Sequence, residues 1–158
     1  MNRNLLASWM GCAALLGIAG CERPDAPETF PQAAADGWVA AFNSGDIDGL
    51  ALMYSPDAEI LPPDNPIVTG HEASVGYWQN YNPGQVRLEI SESETFAAGD
   101  YWLREGSYSA MYPVEGEPRV GKFMELWKKV DGAWVLHRHM WSPNAPQPAQ
   151  MPELAPAS

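Results

Sequence analysis

From residue 30 to residue 142 the spacing of apolar side chains changes once, from helical to strand-like. Phe30, Ala34, Trp38, Ala41 and Phe42 recur three and four apart and predict an amphipathic helix ending at Asn43-Ser44-Gly45. Asp46 is placed to cap a second short helix carrying Leu50, Met53 and Tyr54, which Pro56 closes. Residues 59–62 and 67–69 read as short strands around the break Pro62-Pro63-Asp64-Asn65-Pro66. His71 to Tyr81 reads as a third helix that buries Val75 and Trp78. After Pro83-Gly84, Val86, Leu88 and Ile90 alternate with Arg87 and Glu89, a half-buried strand. Strands over 101–112, 120–129 and 134–141 follow, divided by turns at Gly99-Asp100, Glu115-Gly116-Glu117-Pro118 and Asp131-Gly132. Helices first and an antiparallel meander second predict an α+β fold, with two or three helices on one face of a curved antiparallel sheet.

The ends of the chain carry different patterns. Arg3 is followed by an apolar run from Leu5 to Ala19, which fits a secretory signal and is short for a membrane span. The run closes on Ile18-Ala19-Gly20-Cys21 and resembles the bacterial lipoprotein box, in which the leader is cut before a Cys that takes up lipid. Residues 1–20 then form the leader, Cys21 the lipidated residue, and 21–29 a polar linker with Pro24 and Pro27. The alternative is an ordinary signal followed by a chance Cys. Residues 144–158, rich in Pro and Ala, form an expected unstructured tail, leaving 30–143 as the domain. The expected address is the bacterial cell envelope on the periplasmic side, held at the membrane by the lipid.

Composition narrows the partners. The 158 residues carry 9 Lys and Arg against 20 Asp and Glu, a net charge of −11, which disfavours phosphate backbones and hence nucleic acid. Seven Trp, six Tyr and four Phe supply the apolar bulk of a folded core. With Cys12 removed in the leader and Cys21 lipidated, no pair remains for an internal disulfide.

Three stretches carry a resemblance: residues 38–46 (Trp38 to Asp46), Tyr54-Ser55-Pro56-Asp57-Ala58, and Gly70-His71-Glu72. With the later run from Gly121 through Trp127 and Trp134 to Ser142, they resemble the SnoaL-like and ketosteroid-isomerase-like group of the nuclear-transport-factor-2-like superfamily. The end of the chain is also similar to the association domain of calcium/calmodulin-dependent kinases. The resemblance implies a cone with a pocket between sheet and helices, and homodimers paired through the outer side of the sheet. It also implies two catalytic positions for steroid isomerisation. Here these hold Trp38 and Pro62, neither of which can shuttle a proton.

The candidate chemistry lies on the last two strands. Strand alternation puts His137, His139 and Trp141 on one face and Phe123, Glu125 and Trp127 on one face of the neighbouring strand. A three-residue turn through Val130-Asp131-Gly132 sets Glu125 across from His137 and Phe123 across from His139; a two-residue turn pairs Glu125 with Arg138 instead. The first register gathers the aromatics, both His and Glu125, and the resemblance to the kinase association domain points these positions into the pocket. Glu125 with His137 or His139 is then the candidate acid–base set, against a buried network that only fixes the fold. The same three groups have the composition of an open metal site, but His-x-His arises often by chance, and neither metal nor cofactor is expected. Trp38, Tyr54, Asp57, Trp78, Trp102, Phe123 and Trp141 are the candidate pocket residues for a small apolar or aromatic ligand. Arg104 and Glu105 lie on opposite faces of their strand, so only one points inward. Three functions follow: a ligand-binding domain, an acid–base isomerase, dehydratase or cyclase, and a structural dimerisation module.

Overall fold

The computed structural model describes residues 29–144 apart from 82, 114 and 115. The expected leader, Cys21, the expected linker up to 28 and the expected tail from 145 lie outside the described residues. Helices α1 (Gln32–Ser44), α2 (Ile47–Leu52) and α3 (His71–Tyr81) precede four long strands, and β1 (Tyr54–Leu61) and β2 (Val68–Thr69) run between α2 and α3. The strands β3 (Arg87–Ala98), β4 (Tyr101–Met111), β5 (Arg119–Val130) and β6 (Ala133–Pro143) form a meander. Together the six make one curved sheet in the order β2-β1-β6-β5-β4-β3. Among the described residues no helix is long and apolar enough to cross a membrane.

The sheet is mixed rather than wholly antiparallel, because β1 runs parallel to β6. Its entry is fixed where the Leu136 amide donates to the Met53 carbonyl at 2.7 Å. Tyr54 therefore opens a strand instead of closing the second helix. The β1 ladder pairs Tyr54 with Leu136 and resumes only at Glu59 with Arg138. Pro56 lies in this gap and has no N–H to offer a ladder.

Local signals set the helices. Gly45 ends α1 in the left-handed conformation at φ 73°, where a side chain would be strained, and its N–H returns to the Phe42 carbonyl. The Asp46 carboxylate accepts from the Gly49 amide at 2.9 Å and caps α2. In α3 the buried residues are Ser74 and Trp78, with Val75 only half-buried. Asn43 ties α1 to the sheet edge: its side-chain amide donates to the Leu88 carbonyl at 2.9 Å and accepts from the Leu88 amide at 2.7 Å. One side chain thus serves as a strand partner for β3. Trp38, Phe42, Leu50, Tyr54, Ile60, Trp78, Trp127 and Leu136 form the center of the core between helices and sheet.

The β5–β6 hairpin decides the site. Asp131 and Gly132 take φ of 50° and 84°, a two-residue turn that sets Val130 against Ala133. Trp127 faces Leu136, but the next pair is Leu126 with Arg138, so His137 is an extra residue in β6. After this bulge Glu125 faces His139 and Phe123 faces Trp141. The expected pairs Glu125–His137 and Phe123–His139 do not form, and neither does the two-residue alternative Glu125–Arg138.

Candidate functional site

A cavity of about 60 Å³ lies between α1, α3 and the inner face of β3 to β6. Its buried end is walled by Trp38, Phe42, Trp78 and Phe123, with Glu125 and His139 as the polar groups. Toward the mouth the lining becomes half-buried, through Tyr81, Tyr108, Tyr112 and Arg119. There the Tyr81 and Tyr112 hydroxyls lie 3.3 Å apart and the Arg119 guanidinium sits 4.6 Å from the Tyr112 ring centroid. Aromatic rings also pack on His139 itself, with Trp38 edge-on at 4.9 Å and Trp141 at 5.0 Å between centroids. A cavity of this size holds a compact group; the bulk of a larger ligand extends past the mouth.

Two buried polar chains meet at the wall. In the first, the Glu125 carboxylate accepts from the Trp127 indole at 2.9 Å and faces Arg104 Nη1 at 3.4 Å, with both side chains 4% exposed. Arg104 is held between rings, 5.9 Å from the Phe30 centroid and 5.2 Å from that of Phe123. In the second, the Trp38 indole donates to the Tyr54 hydroxyl at 3.2 Å, and that hydroxyl lies 2.8 Å from His139 Nδ1.

Burial dominates the protonation of both groups. It raises the Glu125 pKa above its usual range, while the Arg104 charge and the Trp127 hydrogen bond pull the other way. It lowers His139 to about 3, and the Arg104 charge lowers it further, so the imidazole is neutral throughout the physiological range. Tyr54, sealed in the core, is raised well above 10.0 by burial and keeps its proton.

The structure brings six of the ten sequence candidates to the cavity: Trp38, Trp78, Phe123, Glu125, His139 and Trp141. Tyr54 stands behind His139 as its hydrogen-bond partner. Trp102 points inward but packs against Phe30, at 6.1 Å between centroids, away from the cavity. His137 and Asp57 are on the other side of the sheet, a correction to their pocket placement. The bulge turns His137 out with Arg138, where it stacks on Tyr101 at 5.8 Å and lies 3.2 Å from Ser55 Oγ. Asp57, exposed, pairs with Lys128 at 2.7 Å, and that hydrogen bond holds its carboxyl well below the usual range. Burial and the nearby Arg138 and Lys128 charges lower the His137 pKa. His137, His139 and Glu125 therefore do not converge on a common point. Arg104, rather than Glu105, is the inward member of its pair. The mouth residues Tyr81, Tyr112 and Arg119 carried no signal in the sequence, because the end of α3, the residue after β4 and the start of β5 bring them together.

A bent sheet wrapped over N-terminal helices around an aromatic cavity is the architecture of nuclear-transport-factor-2-like proteins. The family described as SnoaL-like domain matches residues 35–137, and the chain belongs to that family. A putative calcium/calmodulin-dependent protein kinase II association domain from Xanthomonas campestris is similar in structure at 21% identity, with TM-score 0.63, covering 71% of this chain and 84% of that one. A protein of unknown function from Pseudomonas putida with the same fold superposes with TM-score 0.65 at 18% identity, covering 75% and 86%. A ketosteroid isomerase-like protein from Erwinia carotovora gives TM-score 0.56 at 21% identity, covering 73% and 94%. These likenesses establish the fold. No curated protein matches the chain.

Proposed function

We propose that the chain is an exported, lipid-anchored domain of the bacterial cell envelope whose cavity binds a small, flat, largely apolar molecule. The observation that carries the ligand reading is the composition of the cavity's buried end, four aromatic walls with one carboxyl and one neutral imidazole. Trp38 stands where a steroid isomerase has its acid, and its indole N–H is already given to Tyr54. The basic start, apolar run and Cys21 support export and lipidation. Homodimerisation through the outer sheet face is part of the proposal, supported by the exposed Phe96, Met124 and Met140 on that face.

The test is thermal unfolding of the purified protein against a panel of small aromatic molecules. Binding raises the unfolding temperature, His137→Ala leaves that rise unchanged, and substitution of Trp38 or Trp78 by Leu removes it. A flat response across the panel refutes the reading. Lipidation is read separately as palmitate incorporation that disappears in Cys21→Ser.

A second reading is favoured by one observation: burial raises the proton affinity of Glu125 beside a cavity that a substrate can enter. Glu125 would then be the general base of an isomerase, dehydratase or cyclase, with His139 donating a hydrogen bond. Turnover of any panel member that Glu125→Gln abolishes, without loss of binding, decides for this reading.

A further inference from the structure

The hydrogen-bond chain behind His139 specifies which of its nitrogens carries the proton. The Trp38 indole is a donor only, so the Tyr54 oxygen accepts from it. If His139 Nδ1 also donated to that oxygen, the Tyr54 proton would need another acceptor, and no second one is in place among the described residues. Tyr54 therefore donates to Nδ1, and the neutral ring carries its hydrogen on Nε2. Among the described residues the sealed side-chain atoms without a partner are Trp78 Nε1, Trp102 Nε1 and Arg104 Nε; His139 Nε2 and Glu125 Oε1 are not among them. Neither atom has a protein partner among the described residues, and both residues line the cavity. Glu125 and His139 are paired across β5 and β6, so both side chains rise from adjacent positions on the wall of one cavity.

We infer that this wall selects a flat ligand carrying a hydroxyl group, a phenol or an enol, which accepts from His139 Nε2–H and donates to Glu125 Oε1. The inference rests on the cavity-binding reading above and adds the ligand's polar group to it. A hydroxyl accepts and donates at one atom, so a single compact group satisfies this donor and acceptor together. The dry aromatic surroundings sharpen the choice, because a hydroxyl entering them without partners is penalised relative to a methyl of the same size. An apolar cavity alone would prefer the methyl compound.

The isosteric pair 4-methylphenol and para-xylene tests this, titrated into the isotope-labelled protein and followed by NMR. The expected result is binding of 4-methylphenol about tenfold or more tighter than para-xylene, with the gap closing in Tyr54→Phe, which releases the ring from its fixed tautomer. Para-xylene binding as tightly as 4-methylphenol overturns the hydroxyl inference and leaves cavity binding standing. Binding of neither overturns the cavity reading beneath it. Independently of any ligand and of whether Tyr54→Phe folds, imidazole ¹⁵N spectra of the unaltered protein must show Nε2 protonated and Nδ1 bare. A proton on Nδ1 of His139 overturns the inference.

Discussion

Arg104→Met is the perturbation that most directly tests the electrostatics of the interior. Arg104 and Glu125 are both 4% exposed and 3.4 Å apart, a separation at which unit charges attract by about 5 kcal/mol at an effective dielectric of about 20. Desolvation of two charges offsets much of that, so the pair contributes little against two apolar residues of the same volume. Removing one partner is different: it leaves the Glu125 carboxylate with the Trp127 indole as its remaining donor, and costs about 3–5 kcal/mol. The penalty depends on pH with a definite sign. Burial already holds the Glu125 pKa above its ordinary value, and loss of the guanidinium raises it further. A carboxyl with a raised folded pKa contributes stability that is full below its unfolded pKa and disappears as pH rises through the folded one. The penalty of Arg104→Met therefore grows as pH rises past the folded pKa of Glu125, which burial holds above its ordinary value. Urea unfolding followed by Trp fluorescence, at about pH 5 and about pH 8, reads the difference. The double variant Arg104→Met with Glu125→Leu removes both charges and recovers most of the loss at the higher pH. An equal penalty at the two pH values, with no recovery in the double variant, would refute the account.

Two other outcomes follow from buried polar contacts. His139 titrates near 3 in the fold against about 6.5 when unfolded, so it contributes stability that is present above about pH 6.5 and lost as pH falls toward 3. The loss between about pH 6.5 and 5 is on the order of 2 kcal/mol, seen by urea unfolding and absent in His139→Gln. Asn43→Ala removes both hydrogen bonds to Leu88 and leaves a part-buried backbone amide and carbonyl without partners. It should cost about 2 kcal/mol and speed amide exchange at the start of β3; exchange there unchanged would count against the tie.

The helices and strands were legible because their signals are local. Gly45 and Asp46 end and start helices through backbone chemistry within a few residues, and the alternation at Leu88 and Ile90 needs only the neighbouring side chains. The parallel β1–β6 pairing was not legible, because residues more than seventy apart in sequence make it. Tyr54 shows the cost: read with its neighbours it belongs to a helix, yet its partners are Leu136 and His139 on the last strand. The same distance hid the mouth, where Tyr81 of α3 meets Tyr112 beyond β4.

The bulge at His137 is where local reading and site chemistry diverge, and the sequence contains its trace. Trp134 and Leu136 pack toward the core at even positions, whereas His139 and Trp141 do so at odd ones, so the inward face changes phase between 136 and 139. A strand cannot change phase without an extra residue. Had His137 been paired regularly instead, the two-residue turn would have set Arg138 against Glu125, turning His139 and Trp141 out to the opposite face. The bulge spends one residue, His137, to keep the Trp134 and Leu136 half of the strand packed while aiming His139 at Glu125. Of the two histidines that looked equivalent by spacing, the inserted residue thus separates one facing the cavity, held neutral by burial and hydrogen-bonded to Tyr54, from one on the outer sheet beside Lys128 and Asp57. Deleting His137 would therefore be expected to remove only the bulge: Leu136 still faces Trp127, Arg138 faces Leu126 and His139 faces Glu125, so the inward face from 138 onward and the cavity survive, as they do in His137→Ala.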